Sequence, residues 1–422
     1  MLKYYPRIID RTIAEKLQYT GAIFIRGPKW CGKSTSARQI AKSQVLLGDA
    51  SDSTNYLELA KMAPSIILKG TTPRLIDEWQ LAPQLWNTIK TEIDRRNLPN
   101  QFILTGSATP VDDDSHHPGT GRIARIDMYP MSLYESQESS GKISLANFLK
   151  NTNINIDGIE SSLTIDDYAY LICRGGWPST LSLKRELAVK VAKDYLLSLT
   201  EDDIARTARL PHNPRLTRLL LRSYARNIAT IDSYKSIFND VKSQYSDVSD
   251  SLLYQYLNAL ERLFIIDEIE AWNPNLRSKN VIRSAKKKHL IDPSLAAASL
   301  DASPESLLLD VKTMGLMFES LVARDLKIYA TSNGGYVNHY RDAYGLECDT
   351  VLHFDNGKYL LIEIKLGDHH VEMAAKNLLR LNSLIKEKNM TAPSALIIIT
   401  GTKLAYRRDD GIYVVPLGCL KP

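Results

Sequence analysis

Short apolar runs alternate with amphipathic stretches over the first third of the chain. AIFIRG (22–27), SIILKG (65–70), RLIDE (74–78) and QFILTGS (101–107) each read as a buried strand. Between them, TSARQIAKS (35–43) and PQLWNTIKTEIDRRN (83–97) carry helical periodicity. Continuous apolar strands interleaved with helices predict a doubly wound, parallel α/β sheet. The polar, turn-rich VDDDSHHPGTG (111–121) predicts an exposed, mobile loop. A break near SSGKISL (139–145) leads into a stretch of weak pattern up to residue 165, and helical periodicity dominates from 185 to 268. RLTRLLLRSYARNIA (215–229) shows it best. In the tail, GLMFESLVARDLKIYA (315–330) and AAKNLLRLNSLIKEK (374–388) read as helices. CDTVLHF (348–354), KYLLIEIKLG (358–367) and SALIIITG (394–401) read as strands.

Composition narrows the class. With 422 residues, 44% hydrophobic and 24% charged, the chain is sized for two to four globular domains. No apolar run approaches the roughly 20 residues of a membrane span, and MLKYYPRIIDRTIAEK lacks the plan of a secretory signal. Cys31, Cys173, Cys348 and Cys419 are scattered without CxxC spacing, which argues against a disulfide scaffold or structural zinc and fits a reducing cytoplasm. A net charge of +5 over this length does not by itself indicate nucleic acid.

Gly27, Pro28, Lys29, Trp30, Cys31, Gly32, Lys33 and Ser34 match GxxxxGK[ST] between a strand and a helix that continues with Thr35. Such a loop turns successive N–H groups toward a phosphate, and the helix N-terminus adds its positive dipole end. Lys33 would reach the outer phosphates and Ser34 would ligate Mg²⁺. In the apolar run ending in Asp77 and Glu78, Asp77 would hold Mg²⁺ through water and Glu78 would orient the attacking water, or the pair would be ordinary helix N-terminal acids. Thr105 or Ser107, at the end of the next strand, would sense the γ-phosphate or else belong to an ordinary strand-end turn. Arg122 and Arg125 could stabilise charge on the transferring phosphoryl, or could be surface arginines.

Towards the C-terminus, a turn at Asp355, Asn356 and Gly357 between two strands predicts a hairpin that brings Asp349 near Glu363. Period-two spacing puts Glu363 and Lys365 on one face. Two carboxylates beside a lysine, with Glu319 from the preceding helix as a third acid, would suit Mg²⁺ or Mn²⁺ and a nucleolytic reaction. A chance acid and base on an apolar strand is the competing reading.

Two basic clusters stand out. Arg215, Arg218, Arg222 and Arg226 recur at helical spacing, with no acid from 204 to 231. Arg277, Lys279, Arg283, Lys286, Lys287, Lys288 and His289 form the other. Both suit phosphate-backbone contact, or else a solvated face or a partner's acids.

RGPKWCGKST, LIDEWQ, LTGSATP and GRIARIDMYPMSLYES, in that order, resemble prokaryotic AAA-type P-loop ATPases fused to a winged-helix segment and a PD-(D/E)xK nuclease-like domain. DDIAR (202–206), residues 273–300, GLMFESLVARDLKIYA and HYRDAYGLECDTVLHF are similar to that family's C-terminal half. The resemblance implies an ATPase core at 1–135, a helical lid at 136–212, a winged-helix-like segment at 213–295 and a nuclease-like α/β domain at 296–422. It implies ATP hydrolysis on Gly32, Lys33, Ser34, Asp77 and Glu78, and nuclease-like positions at Glu319, Asp349, Glu363 and Lys365. Arg122, Arg125 and Arg206 are raised as residues near the nucleotide, and borrowing of an arginine between copies leaves room for a homo-oligomer. The expected function is Mg²⁺-dependent ATP hydrolysis coupled to DNA binding and, in the fuller reading, metal-dependent cleavage. The alternative is an ATP-gated DNA- or protein-binding switch with an inactive nuclease-like domain.

Overall fold

The computed structural model describes residues 4–49, 53–107, 119–150, 153–204, 210, 212–275, 284–342 and 344–422. Arg206, Arg277, Lys279, Arg283 and residues 111–118 of the expected loop lie outside that set. The chain divides into two units. The first comprises Met1–Pro130, Asp203–Pro211 and Gln255–Ile265, and the second comprises Met131–Asp202, His212–Tyr254 and Ile266–Pro422.

The first unit is built on a five-stranded parallel sheet. Its strands are β1 (Ala22–Arg26), β2 (Ser43–Leu46), β3 (Arg74–Asp77), β4 (Phe102–Gly106) and β5 (Ile123–Asp127), in the spatial order β2-β3-β4-β1-β5. β1 and β4 are apolar because both their faces are covered. Ala22, Phe24, Phe102 and Leu104 pack with Trp79, Trp86 and Ile89 on one face. Ile23, Ile25 and Ile103 pack with Ile13, Leu17 and Ala37 on the other. Phe24, Trp79 and Trp86 form an aromatic trio with centroids 4.8 to 6.0 Å apart.

SIILKG is not a strand. Pro64 opens a short helix, Pro64–Ile67, at its first turn, where a missing N–H costs nothing. The strand expected there is supplied by β2, whose only buried residue is Val45.

The second unit contains β6 (Ile143–Ser144), β7 (Gly335–Arg341), β8 (Glu347–Phe354), β9 (Tyr359–Lys365), β10 (Ala395–Thr400), β11 (Tyr406–Arg407), β12 (Tyr413–Pro416) and β13 (Leu420–Lys421). Six of them form one sheet, ordered β11-β12-β10-β9-β8-β7. β8 and β9 pair antiparallel with Thr350 opposite Ile362, the hairpin expected from the Asp-Asn-Gly turn. β9, β10 and β12 run parallel. Helix Val371–Glu387 covers the sheet through Val371, Ala374, Ala375, Leu378 and Leu381, packed with Val351, Leu361, Ile398 and Val414. Helix Val311–Thr331 carries Glu319. Before it, residues 214–242 form the helices Pro214–Arg226 and Tyr234–Lys242. All four cysteines are buried and free. Among the described residues, no helix is long and apolar enough to cross a membrane.

Candidate functional site

The parallel sheet places its functional residues beyond the carboxyl ends of β1, β3 and β4. The chain leaves β1 at Arg26, turns through Gly27 to Gly32 and enters the helix Lys33–Ile40. Gly27 has φ +155°, and a Cβ there would stand 2.2 Å from the Met128 carbonyl oxygen, so only glycine fits. Gly32 is the helix N-cap, at φ +103°. No side chain caps this helix, and no acid lies in its first turn. Its leading N–H groups therefore face outward with the positive end of the helix dipole, an arrangement that accepts an anion.

Beneath the loop, Arg7 is buried and donates to the carbonyls of Cys31 (2.7 Å) and Tyr129 (2.8 Å). Nothing local in the sequence marks Arg7, because its partners are remote along the chain. Cys31 points into the core, while Lys29 and Trp30 are exposed. Lys29 Nζ pairs with Asp203 Oδ1 at 2.6 Å.

Lys33 is only 4% exposed and donates to the carbonyls of Gly27 (3.0 Å) and Pro28 (2.7 Å). Its charge is held by neutral acceptors. Ser34 Oγ donates to Asp77 Oδ1 at 2.6 Å, joining the two expected Mg²⁺ ligands directly. Thr105 donates to the same carboxylate oxygen and accepts the Glu78 N–H at 3.2 Å. Its hydroxyl is thus engaged on both sides, and the residue is fully buried. Thr105 orients the two acids of β3 here. Ser107 Oγ donates to Glu78 Oε2 at 3.1 Å, and Gln80 donates to that same oxygen. Glu78 itself sits at φ +55°, a left-handed conformation that turns its carboxylate off the strand axis. Thr35 is exposed at the start of the helix.

Arg122 does not join this site. Its carbonyl accepts from Ala22 N–H, at the amino end of β1, and its guanidinium pairs with Asp94 at 2.6 Å. The five residues of β1, at about 3.3 Å each, set it roughly 16 Å from the loop. Arg125 lies in mid-strand, opposite Phe24, and is exposed.

The expected C-terminal residues do come together, with an addition. Lys365 Nζ lies 2.8 Å from both Asp349 Oδ2 and Glu363 Oε2. Asp349 Oδ2 also accepts the Ile364 N–H at 2.9 Å. Glu319, however, meets Lys287, whose Nζ is 2.6 Å from its Oε1 and 3.7 Å from Asp349 Oδ1. The result is an alternating ladder, Glu319, Lys287, Asp349, Lys365, Glu363. Flanked by two ammoniums, Asp349 is held down to about 2. Burial pushes Glu319 up to about 7 and Glu363 up to about 8, since each end touches one ammonium only.

This departs from the expected divalent site of Glu319, Asp349 and Glu363. Their charges are answered by lysines, and among the described residues no group of three or more His, Cys, Asp or Glu is placed to hold a metal ion. The sequence makes Lys287 part of a candidate phosphate-binding cluster, whereas the structure buries it.

The described members of the basic clusters are likewise matched. Arg218 pairs with Glu201, Arg222 with Asp301 and Arg226 with Asp240, at 2.6 to 2.8 Å. Arg215 lies over the Tyr245 ring. Lys286 pairs with Glu270. Lys288 is buried over the Tyr234 ring near Glu268, and His289 is buried against Ser320. The described part of neither cluster is an unpaired cationic stripe.

Residues 19–137 match the AAA domain family, which fits the parallel sheet and the phosphate loop. Residues 165–306 and 314–420 match two families described as domains of unknown function, DUF8612 and DUF4143. Uncharacterized proteins of Mycobacterium bovis and Mycobacterium tuberculosis are each 22% identical over 343 residues, covering 80% of this chain and 68% of the relative. A Walker-type ATPase of Pyrococcus abyssi aligns over 70% of this chain and 96% of its own, at 16% identity and a TM-score of 0.43.

Proposed function

We propose that this chain is a magnesium-dependent ATPase acting as a nucleotide-gated switch, with a C-terminal domain that does not cut nucleic acid. The observation that carries it is the hydrogen-bonded chain Ser34, Asp77, Thr105, Glu78 set beside an uncapped helix N-terminus. The N–H groups of the loop and of the first helical turn suit the phosphates of ATP. Lys33 Nζ can exchange the Gly27 and Pro28 carbonyls for phosphate oxygens, because carbonyls are weaker partners for an ammonium than anions are. Ser34 and Asp77 fit magnesium, which when bound would neutralise charge on the phosphates. Glu78 is the group to orient the attacking water. Ser107 and Gln80 hold its carboxylate by hydrogen bonds that a water could replace.

Positioning and charge stabilisation are most of what phosphoryl transfer requires of a protein. Lys33→Ala is therefore expected to lower ATP turnover by about 10²–10³-fold or more, the scale of removing one donor to developing charge. Its loss leaves only two carbonyls without a donor at a loop that meets solvent, so the fold should persist. Turnover in the folded variant equal to that of the wild type would remove the proposal. Assays with and without duplex, forked and branched DNA decide whether the switch answers to nucleic acid.

A further inference from the structure

Lys287 lies outside the motifs that define the C-terminal hairpin, yet it sits between Asp349 of the hairpin and Glu319 of helix Val311–Thr331. It is held in place by the backbone exchange between Ile269 and Lys287, whose N–H and carbonyl groups bond reciprocally at 2.9 Å. Its side chain is 9% exposed. The ammonium has three oxygen neighbours, which are Glu319 Oε1 at 2.6 Å, the Asp349 carbonyl at 3.1 Å and Asp349 Oδ1 at 3.7 Å. Two carboxylates and a backbone carbonyl converging on one point form a hard-oxygen donor set of the kind that magnesium or manganese accepts. Here a lysine nitrogen sits at that point.

The second ammonium, Lys365, bridges Asp349 to Glu363. With all three acids ionised, the three carboxylates and two ammoniums leave a formal charge of −1. A dication entering the cluster would meet Lys287 within contact distance and would have to displace it from two partners.

We propose that Lys287 is a tethered cation standing where a divalent metal would sit, so that Glu319, Asp349 and Glu363 form a metal-independent ion-pair ladder. Lys287 thereby clamps residues 284–291 to helix Val311–Thr331 and to strand β8. The inference deepens the reading of a C-terminal domain that does not cut, and its test reads metal binding rather than ATP turnover, so the two can fail separately.

The test uses the full-length, nucleotide-free chain carrying Asp77→Asn, so that the phosphate loop contributes no metal site. Asn keeps the oxygen that accepts from Ser34 and Thr105. Mn²⁺ is titrated and followed by electron paramagnetic resonance. The chain with Lys287 intact is expected to bind no Mn²⁺ stoichiometrically. Adding Lys287→Ala is expected to create one Mn²⁺ site, with affinity raised at least about tenfold, and Glu319→Gln should then weaken it again. Stoichiometric Mn²⁺ binding with Lys287 present would overturn the proposal. So would a folded Lys287→Ala chain that gains no site. Lys287→Gln, which keeps a hydrogen-bond donor without the charge, replaces Lys287→Ala if the latter does not fold. Should neither fold, the titration with Lys287 present decides the matter alone.

Discussion

Each unit holds a lysine and acids at the ends of buried strands, but the two constellations are wired differently. At the phosphate loop, Lys33 is bonded to two carbonyls, and Asp77 to two hydroxyls. No acid and base neutralise each other among these residues. In the second unit, Lys287 and Lys365 are each bonded to carboxylates, and both carboxylate oxygens of Asp349 face an ammonium. Charges held by neutral partners can be handed to a ligand at little cost. Charges already paired in a desolvated site can be released only by breaking the pair. A motif lists residue types, whereas the partners of each residue decide whether a site is poised for a ligand or closed upon itself.

The sharpest way to break this comparison is to remove one acid from each. Asp349→Asn leaves Lys287 and Lys365 without the carboxylate they share. Removing one partner of a buried pair costs about 3–5 kcal/mol. The midpoint of urea unfolding should fall accordingly, with an unchanged slope. Asp77→Asn keeps its hydroxyl partners and should change stability by about 1 kcal/mol or less, the scale of one altered hydrogen bond. Equal effects from the two substitutions would mean that the ladder is no more closed than the loop.

A smaller effect lies in the pH dependence. Glu363, raised to about 8, and Glu319, raised to about 7, hold protons in the folded chain that the unfolded chain has released. For such groups, stability falls as pH rises from the ordinary carboxyl value through the folded one. Asp349, held at about 2, works oppositely, and its contribution is lost only as pH drops below the ordinary range. Other buried groups act mainly below pH 7. Burial raises Asp325 to about 6, holds His339 down at about 4 and depresses His289. The two histidines add stability as pH rises through their ordinary value near 6.5, so the ladder should dominate from about pH 7 to 8. Stability to urea should decline there by up to about 1.4 kcal/mol per pH unit for one proton. Glu363→Gln should flatten most of that decline. A wild-type profile already flat over this window would sink the assignment.

Much of the first unit could be read from the chain because β1 and β4 are covered on both faces and so stay apolar throughout. The phosphate loop was legible because its chemistry is carried by contiguous residues. β2 was not, since an edge strand with a single buried side chain has little pattern to offer. Polar β7, GYVNHYR, at the edge of the other sheet, hid because its buried positions, Gly335, His339 and Tyr340, follow no apolar alternation. The hairpin of β8 and β9 was visible through its turn, and it placed Asp349, Glu363 and Lys365 together. Charge pairing was the real failure. The acids that answer Arg226 and Arg222 lie 14 and 79 residues away, and Glu319 lies 32 residues from Lys287. A basic run looks bare in one dimension when its partners arrive from other elements.

Arg122 offers the smallest expected effect and the finest test of the phosphate-loop half. An arginine near the reacting phosphate, from the same chain or a second copy, can contribute about 10³–10⁵-fold to hydrolysis. Arg122 instead sits at the amino edge of the sheet, while the loop lies at the carboxyl edge. Its ion pair with Asp94 joins two exposed side chains, and such pairs contribute about 0–1 kcal/mol. Arg122→Ala should therefore leave ATP turnover within about twofold of the wild type at every protein concentration. A loss of a hundredfold or more that appears only at concentrations where copies associate would show that the arginine serves a neighbour's nucleotide. In that case the phosphate loop would be completed by a residue from outside its own unit, and its open wiring would be a property of the assembly rather than of one chain.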